Sequence, residues 1–438
     1  MFLSSVLFQE SLVSHLRPEP DCEESLMFRT IVKAWLTTGL AVVAFNVASA
    51  SAQTPAPAPD PDATSRAEAI AAEQVKKSGE LTPDIGNKAE QAFERIEQTF
   101  LSNTLNFHPF FDSAYAGGGF TLGAGYRRYV SSYNTIDLRG SITFSGYKRI
   151  EAAFLAPRLF NRHAVLQAVG GWREATQVGF FGIGTPATSP DDRTNYSFQQ
   201  PYAGATLEYR PWRNAVRFDA GLDYSQWKQG SGGGSVPSVE DVYTPATLPG
   251  LGSSPTYVHT GLGAALDTRV SPGYSRKGGY YGVAVENYAD NDSRYGFEQV
   301  NYEAIQHIPI LRDAWVLSLH ARVQTTYTSD NDVVPFYMLP ALGGGSSLRG
   351  FTSWRFRDRQ SLLLQAEWRI LANQFMDMAV FYDAGKVVAR TSDIDLDGLK
   401  KDYGLGFRIH SPLATPLRIE FAKSNEGLQL VFAASASF

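Results

Sequence analysis

Hydrophobic and polar residues alternate along most of the second half of this chain. In Ala215–Trp227, Val216, Phe218, Ala220, Leu222 and Tyr224 alternate with Arg217, Asp219, Gly221, Asp223 and Ser225. Trp315, Leu317, Leu319, Ala321 and Val323 alternate with Ser318, His320, Arg322 and Gln324, and Leu362, Leu364, Ala366, Trp368 and Ile370 with Gln365, Glu367 and Arg369. A period of two predicts strands with one apolar and one polar face. A soluble sandwich would alternate too, so length decides. These segments run to about ten residues, against ~5–6 for strands of soluble proteins. The expectation is an all-β chain: a transmembrane antiparallel β-barrel, apolar side chains facing lipid and charges facing the lumen. Counting from Gly117 to Phe438, ~10 residues per strand and as many per average connection predict about sixteen strands. The Gly/Ser/Pro-rich stretch from Gly230 to Pro255 reads as an extracellular loop.

Ahead of the strands the pattern changes. Residues 1–26 carry Glu10, Glu19, Asp21, Glu23 and Glu24, wrong for an export signal and read as a non-native or untranslated extension. Met27 opens a better one: Arg29 and Lys33, an apolar run from Ala34 to Phe45, then Ala50-Ser51-Ala52. Residues 27–52 are the expected signal peptide, with Ala50 or Ala52 the last residue removed. Residues 53–104 are expected to form a proline-rich linker and a short amphipathic helix, with Ala89, Ala92, Phe93, Ile96 and Phe100 on one face. That helix could pack on the barrel, plug it, or serve as a solvated tether. Residues 105–438 are the barrel.

Composition narrows the class. The chain is 43% hydrophobic and 13% aromatic with 39 glycines, yet no apolar run after residue 52 approaches the ~20 residues of a membrane helix. The single cysteine, Cys22, precedes the expected start. A net charge of −5 gives no electrostatic case for a nucleic-acid partner. The localisation implied is the bacterial outer membrane.

Candidate chemistry centres on one cation. Gly343-Gly344-Gly345 is followed by Leu348-Arg349-Gly350-Phe351. By strand parity Glu367 lies opposite Trp368, and Asp383 shares a face with Phe381 and Gly385, so both carboxylates are expected in the lumen. A planar guanidinium can bond two carboxylates and stays charged, and Gly350 lets the chain turn behind it. The expectation is a loop locked inside by Arg349 on Glu367 and Asp383. There is no Gly-x-Ser-x-Gly, P-loop, His-Glu-x-x-His or cysteine-based metal spacing. No catalytic residue, cofactor or metal site is therefore assigned. His320 and His410 read as single polar lumen or strand residues, and Asp290-Asn291-Asp292, which resembles a cation-binding turn, lacks the rest of a calcium loop and reads as a solvated acidic loop.

These residues resemble the BamA/TamA superfamily of outer-membrane assembly barrels, also called the bacterial surface antigen family. Leu348-Arg349-Gly350-Phe351 is similar to its sixth-loop signature, and Phe381-Tyr382-Asp383-Ala384-Gly385 to its Phe-x-Asp-x-Gly strand motif. Glu367 stands where the family has a lumen-facing glutamate. Ser411-Pro412-Leu413 to Pro416-Leu417-Arg418 resembles a family turn, with Ala414-Thr415 in place of the usual glycine. Phe181-Gly182-Ile183-Gly184, Asp191-Asp192-Arg193, Asp267-Thr268-Arg269 and Gly278-Gly279 also fit. The resemblance implies insertion or translocation of protein or lipid through a labile seam, without a chemical reaction. Outer-membrane lipid and a client outer-membrane protein are the implied partners. The 427–438 segment alternates to an aromatic end, and Phe432 and Phe438 resemble the family's C-terminal insertion signal. The expected seam sets Ala433 to Ser437 against Gly117, Gly118, Gly119, Gly123 and Gly125. One departure bears on function. One polypeptide-transport-associated (POTRA) domain would barely fit in residues 53–116, and the stretch lacks convincing strands, so none is expected; a separate periplasmic partner is a candidate to supply client docking. The alternatives are a passive outer-membrane channel or structural barrel and, third, a barrel-embedded lipid hydrolase.

Overall fold

The computed structural model describes residues 106–438, apart from 186–188, 213–214, 293, 312–313, 374, 411–414, 416 and 434. The signal peptide with Ala50 and Ala52, the linker and its helix lie outside the described residues, as does most of the 411–418 turn.

The strands are β1 (Phe107–Pro109), β2 (Thr121–Tyr129), β3 (Thr135–Thr143), β4 (Lys148–Leu159), β5 (Ala164–Phe180), β6 (Thr194–Tyr209), β7 (Val216–Gln226) and β8 (Lys228–Ser231). They continue with β9 (Thr256–Asp267), β10 (Gly278–Asp290), β11 (Phe297–Leu311), β12 (Trp315–Tyr327), β13 (Ala341–Leu342), β14 (Phe356–Arg357), β15 (Gln360–Asn373), β16 (Met376–Val388), β17 (Lys400–Ile409), β18 (Leu417–Ser424) and β19 (Gly427–Ala433). All but β13 and β14 belong to one 17-stranded sheet, in which every ladder is antiparallel and joins neighbours in chain order. β7 and β8 both pair with β6 and are one strand interrupted at Trp227. The wall therefore has sixteen strand positions. β13 and β14 form a separate hairpin within the 328–359 connection.

Alternation assigns the faces. Phe218, Leu222 and Tyr224 of β7, Trp315 and Leu319 of β12, and Trp368 and Ile370 of β15 are exposed on the outside. Arg217, Asp223, Ser318, His320, Gln365 and Glu367, one residue along, are buried inside. So many large apolar side chains on one outer surface require an apolar surrounding or partner. The connections at one end bridge distant strands across the inner face: Thr185, in the segment after β5, donates through Oγ1 to the Val387 carbonyl of β16 at 2.6 Å, and Arg357 Nη2 of β14 donates to the Tyr196 hydroxyl of β6 at 3.0 Å. The sheet is thus barrel-like, curving around a shared interior. The longest connections, 181–193, 232–255 and 328–359, leave from the same end of it. There, Phe180, Tyr196, Phe198, Trp227, Phe336 and Tyr337 pack into one aromatic core. Among the described residues no helix is long and apolar enough to cross a membrane, which says nothing of strands.

Two expectations are corrected at the margins of the sheet. Gly117, Gly118 and Gly119 lie in the connection after β1, not in a strand facing the C-terminal segment. Gly123 and Gly125 are in β2, whose partners are β1 and β3. They provide clearance: a Cβ on Gly125 would lie 2.4 Å from the His108 ring and one on Gly123 would lie 2.5 Å from the Phe110 carbonyl oxygen. His108 uses that space to reach Asp137, Nε2 to Oδ1 2.8 Å. Among the described residues the first wall strand is instead the three-residue β1. No ladder among the described residues joins it to β19.

The 427–438 alternation also ends early. β19 stops at Ala433, opposite Arg418, one residue from the start of its ladder partner β18. Leu428, Leu430 and Phe432 point outward and are exposed. Continued parity would put Phe438 outside as well, but it is buried, its ring stacked on His320 with centroids 5.0 Å apart.

Candidate functional site

The site is built by the long 328–359 connection. Gly343 and Gly344 take φ values of 115° and 93°, which L side chains rarely adopt, and turn the chain back between β13 and β14. Leu348 and Phe351 then bury with Leu342, Phe356, Leu363 and Val387. This small apolar cluster fixes the backbone on both sides of Arg349, so the cation is presented rather than free to search.

Arg349 has no exposed side-chain surface. Its Nε and Nη2 donate to Asp383 Oδ2 and Oδ1 at 2.7 and 2.8 Å, a two-pronged contact. Its Nη1 donates to Glu367 Oε2 at 3.0 Å and to Glu420 Oε1 at 2.9 Å. The guanidinium carbon lies 3.5 Å from the centroid of the Phe381 ring, where the π face favours a cation. Lysine, a point charge without a planar fork, could not fill this arrangement.

Each motif residue has a distinct task. Phe381 is the platform under the guanidinium, and Gly404 on β17 leaves room for it, since a Cβ there would lie 2.4 Å from Phe381 Cζ. Asp383 supplies the fork and also accepts from Gln365 Nε2 at 3.1 Å. Gly385 clears space for the loop: a Cβ would come within 3.0 Å of Leu342 Cδ1 and 3.5 Å of Leu348 Cδ2. Gly350 sits over Asp402, whose Cβ would be 2.5 Å from any added Cβ, and its carbonyl accepts from Ser424 Oγ at 2.7 Å.

The structure brings Leu348, Arg349, Gly350, Phe351, Glu367, Phe381, Asp383 and Gly385 into one centre, together with residues that alternation alone did not single out. Arg408 of β17 donates to both oxygens of Glu367 and, at 3.0 Å, to Glu420. Ser437 Oγ reaches Glu367 Oε2 at 3.1 Å. The signal for Arg408 and Glu420 was present, since both fall on inner-face parity, but nothing local ties them to Arg349. Phe432 and Phe438 are far apart in role, one outside and one inside. His410 stacks on Tyr274 at 3.9 Å, and His320 bridges Gln365 and Glu303 at 2.8 and 2.9 Å. The Asp290 carboxylate caps its own turn, accepting from the backbone of Arg294 and Tyr295 at 3.2 and 3.1 Å. Among the described residues no group of three or more His, Cys, Asp or Glu side chains could hold a metal ion.

An antiparallel sheet of this size with an internal arginine-bearing loop defines the class. Residues 134–434 match the Omp85 superfamily domain, and the chain belongs to that family. The fold is similar to that of BamA from Haemophilus ducreyi lacking POTRA domains 1–3, with a TM-score of 0.57, 15% identity, and coverage of 80% of this chain and 78% of that one. It is also similar to CdiB from Escherichia coli, with a TM-score of 0.50, 13% identity, and coverage of 72% of this chain and 59% of that one. No curated protein matches the sequence.

Proposed function

We propose that this protein is a closed outer-membrane β-barrel that inserts or translocates protein or lipid across the margin between β1 and β19, with no chemical step. The carrying observation is the Arg349 centre. A buried cation on three carboxylates holds a loop inside a sheet whose first strand among the described residues is three residues long. Such a design combines a rigid interior anchor with a weak wall position. The apolar outer face supports the membrane location. The aromatic core at the long-connection end fills the interior with side chains, which favours a gated barrel over an open channel. A periplasmic domain contributed by another chain is the partner this reading calls for.

Reconstitution into liposomes tests it. The expected outcome is accelerated folding of an added unfolded outer-membrane protein, or transfer of labelled lipid, with low ion conductance. Steady conductance with neither activity would make the protein a channel. Release of fatty acid from the bilayer would make it a hydrolase.

A further inference from the structure

The residues just ahead of β14 touch two regions that lie at opposite ends of the sheet. Trp354 Nε1 donates to the Ala116 carbonyl at 2.9 Å. Its indole stacks on Tyr115, centroids 4.5 Å apart and planes 10° apart. Tyr115 and Ala116 belong to the connection that leaves β1. That connection is itself pinned to the wall: Asp112 pairs with Arg149 of β4, and the Ala114 carbonyl accepts from Arg173 of β5 at 3.3 Å.

The very next residue faces the other way. Arg355 Nε donates to both carboxylate oxygens of Glu426, at 3.0 and 2.9 Å, and Glu426 lies in the turn between β18 and β19. The same side is reinforced by Arg418 Nη2 donating to the Gly345 carbonyl at 2.9 Å. Gly345 also packs close to β19, where an added Cβ would lie 2.7 Å from Val431 Cγ1. Trp354 keeps a φ of 65°, a backbone state that a residue other than glycine holds only when its surroundings enforce it. Arg349 cannot substitute for this link, because its partners are on β15, β16 and β18, all on the C-terminal side of the margin.

We propose that Trp354 and Arg355 form a clasp across the β1–β19 margin, so that the hairpin sets the separation of the first and last strands. The proposal rests on the reading that this margin is where the wall opens, and it names what regulates the opening. The two grips differ in kind. The Trp354 grip is aromatic stacking with one hydrogen bond, and the Arg355 grip is a charge-assisted fork. Neither residue is a catalytic group; both are positioning residues.

Spin labels on cysteines introduced at Phe107 of β1 and Phe432 of β19 read the separation directly, since both side chains are exposed on the outside. The full chain, with Cys22→Ser, is placed in bilayers and the label distance is measured by pulsed electron resonance. The wild-type clasp gives one narrow distance. Trp354→Ala adds a population displaced by at least one strand spacing, ~5 Å. Trp354→Phe, which keeps the stack but loses the donor, gives a smaller displaced fraction, as does Glu426→Gln, and Trp354→Ala with Glu426→Gln gives the largest. If Trp354→Ala does not fold, as judged by heat-modifiable migration, Trp354→Phe and Glu426→Gln carry the test. An unchanged distance in the folded variants overturns the clasp, as does full displacement by Arg349→Ala with Trp354→Ala silent. Client folding in liposomes is scored on the same variants. Displacement without client folding keeps the clasp and removes the assembly reading; client folding without displacement does the reverse.

Discussion

The two limbs of the 328–359 connection are held inside the sheet by different physics. The first limb inserts Val334, Phe336 and Tyr337 into the aromatic core, with Phe336 edge-on to Phe180 and Tyr196 at 5.0 Å each. The second inserts Arg349 among Asp383, Glu367 and Glu420. Apolar burial scales with area and tolerates a change of shape in proportion to the volume lost. A buried cation on three carboxylates does not degrade in that gradual way: remove it and Asp383 stays buried without its cation, while Arg408 still serves Glu367 and Glu420. The first limb is thus a filling and the second a latch. Had the interior around Arg349 been wet, its removal would cost about half as much; its complete burial keeps the full penalty.

The largest effect expected is for Arg349→Ala, a loss of ~3–5 kcal/mol. It should appear as a lower unfolding temperature in detergent and as new protease cleavage between residues 343 and 355. Arg349→Lys should restore only part of it. Because Arg349 and Glu367 share one network, Arg349→Ala with Glu367→Gln should be strongly non-additive. Additive losses with an equally protected loop would show that no latch exists.

Phe336→Ala tests the other limb and should cost roughly 3 kcal/mol. Cleavage should then concentrate at 328–336 and spare 343–355. If both limbs are cut together, they are one cooperative unit and the distinction between filling and latch is lost.

The wall supplies a control independent of either limb. Leu222→Arg on the outer face should cost ~2–4 kcal/mol at mid-membrane, and the inward Gln324→Arg should be tolerated. Equal costs in lipid bilayers would refute this orientation of the sheet.

Ser437→Ala sharpens the comparison most finely. It removes one hydroxyl donor from Glu367 and should cost about 1.5 kcal/mol. Its effect should vanish in an Arg349→Ala background if the C-terminal tail is fastened through the latch, and persist if Phe438 on His320 fastens it alone.

Much of the candidate site is legible in the sequence, and the reason is parity. A strand side chain points to one face or the other by counting, so Glu367 opposite Trp368, and Asp383 with Phe381 and Gly385, are local facts. The glycine run before Leu348 and the choice of arginine over lysine are local as well. So is the number of strand positions, because a spanning strand consumes a set length of chain. What counting cannot supply is which strands lie side by side at which register, or where a strand ends.

Glu420 and Arg408 join Arg349 only because β17 and β18 close beside β16 in that register. β19 stops where β18 begins, which freed Phe438 to turn inward against the parity of its own segment. Gly117 to Gly119, expected at a seam with the C-terminal segment, lie in the connection that Trp354 grips at Ala116, and Gly123 and Gly125 give clearance for His108 and Phe110. By itself the sequence determined the faces, the strand positions and the charged groups available to the latch. The tertiary structure alone decided which of those charges meet and how the two margins are tied, because these depend on contacts between segments from 34 to 238 residues apart, and no local preference encodes them.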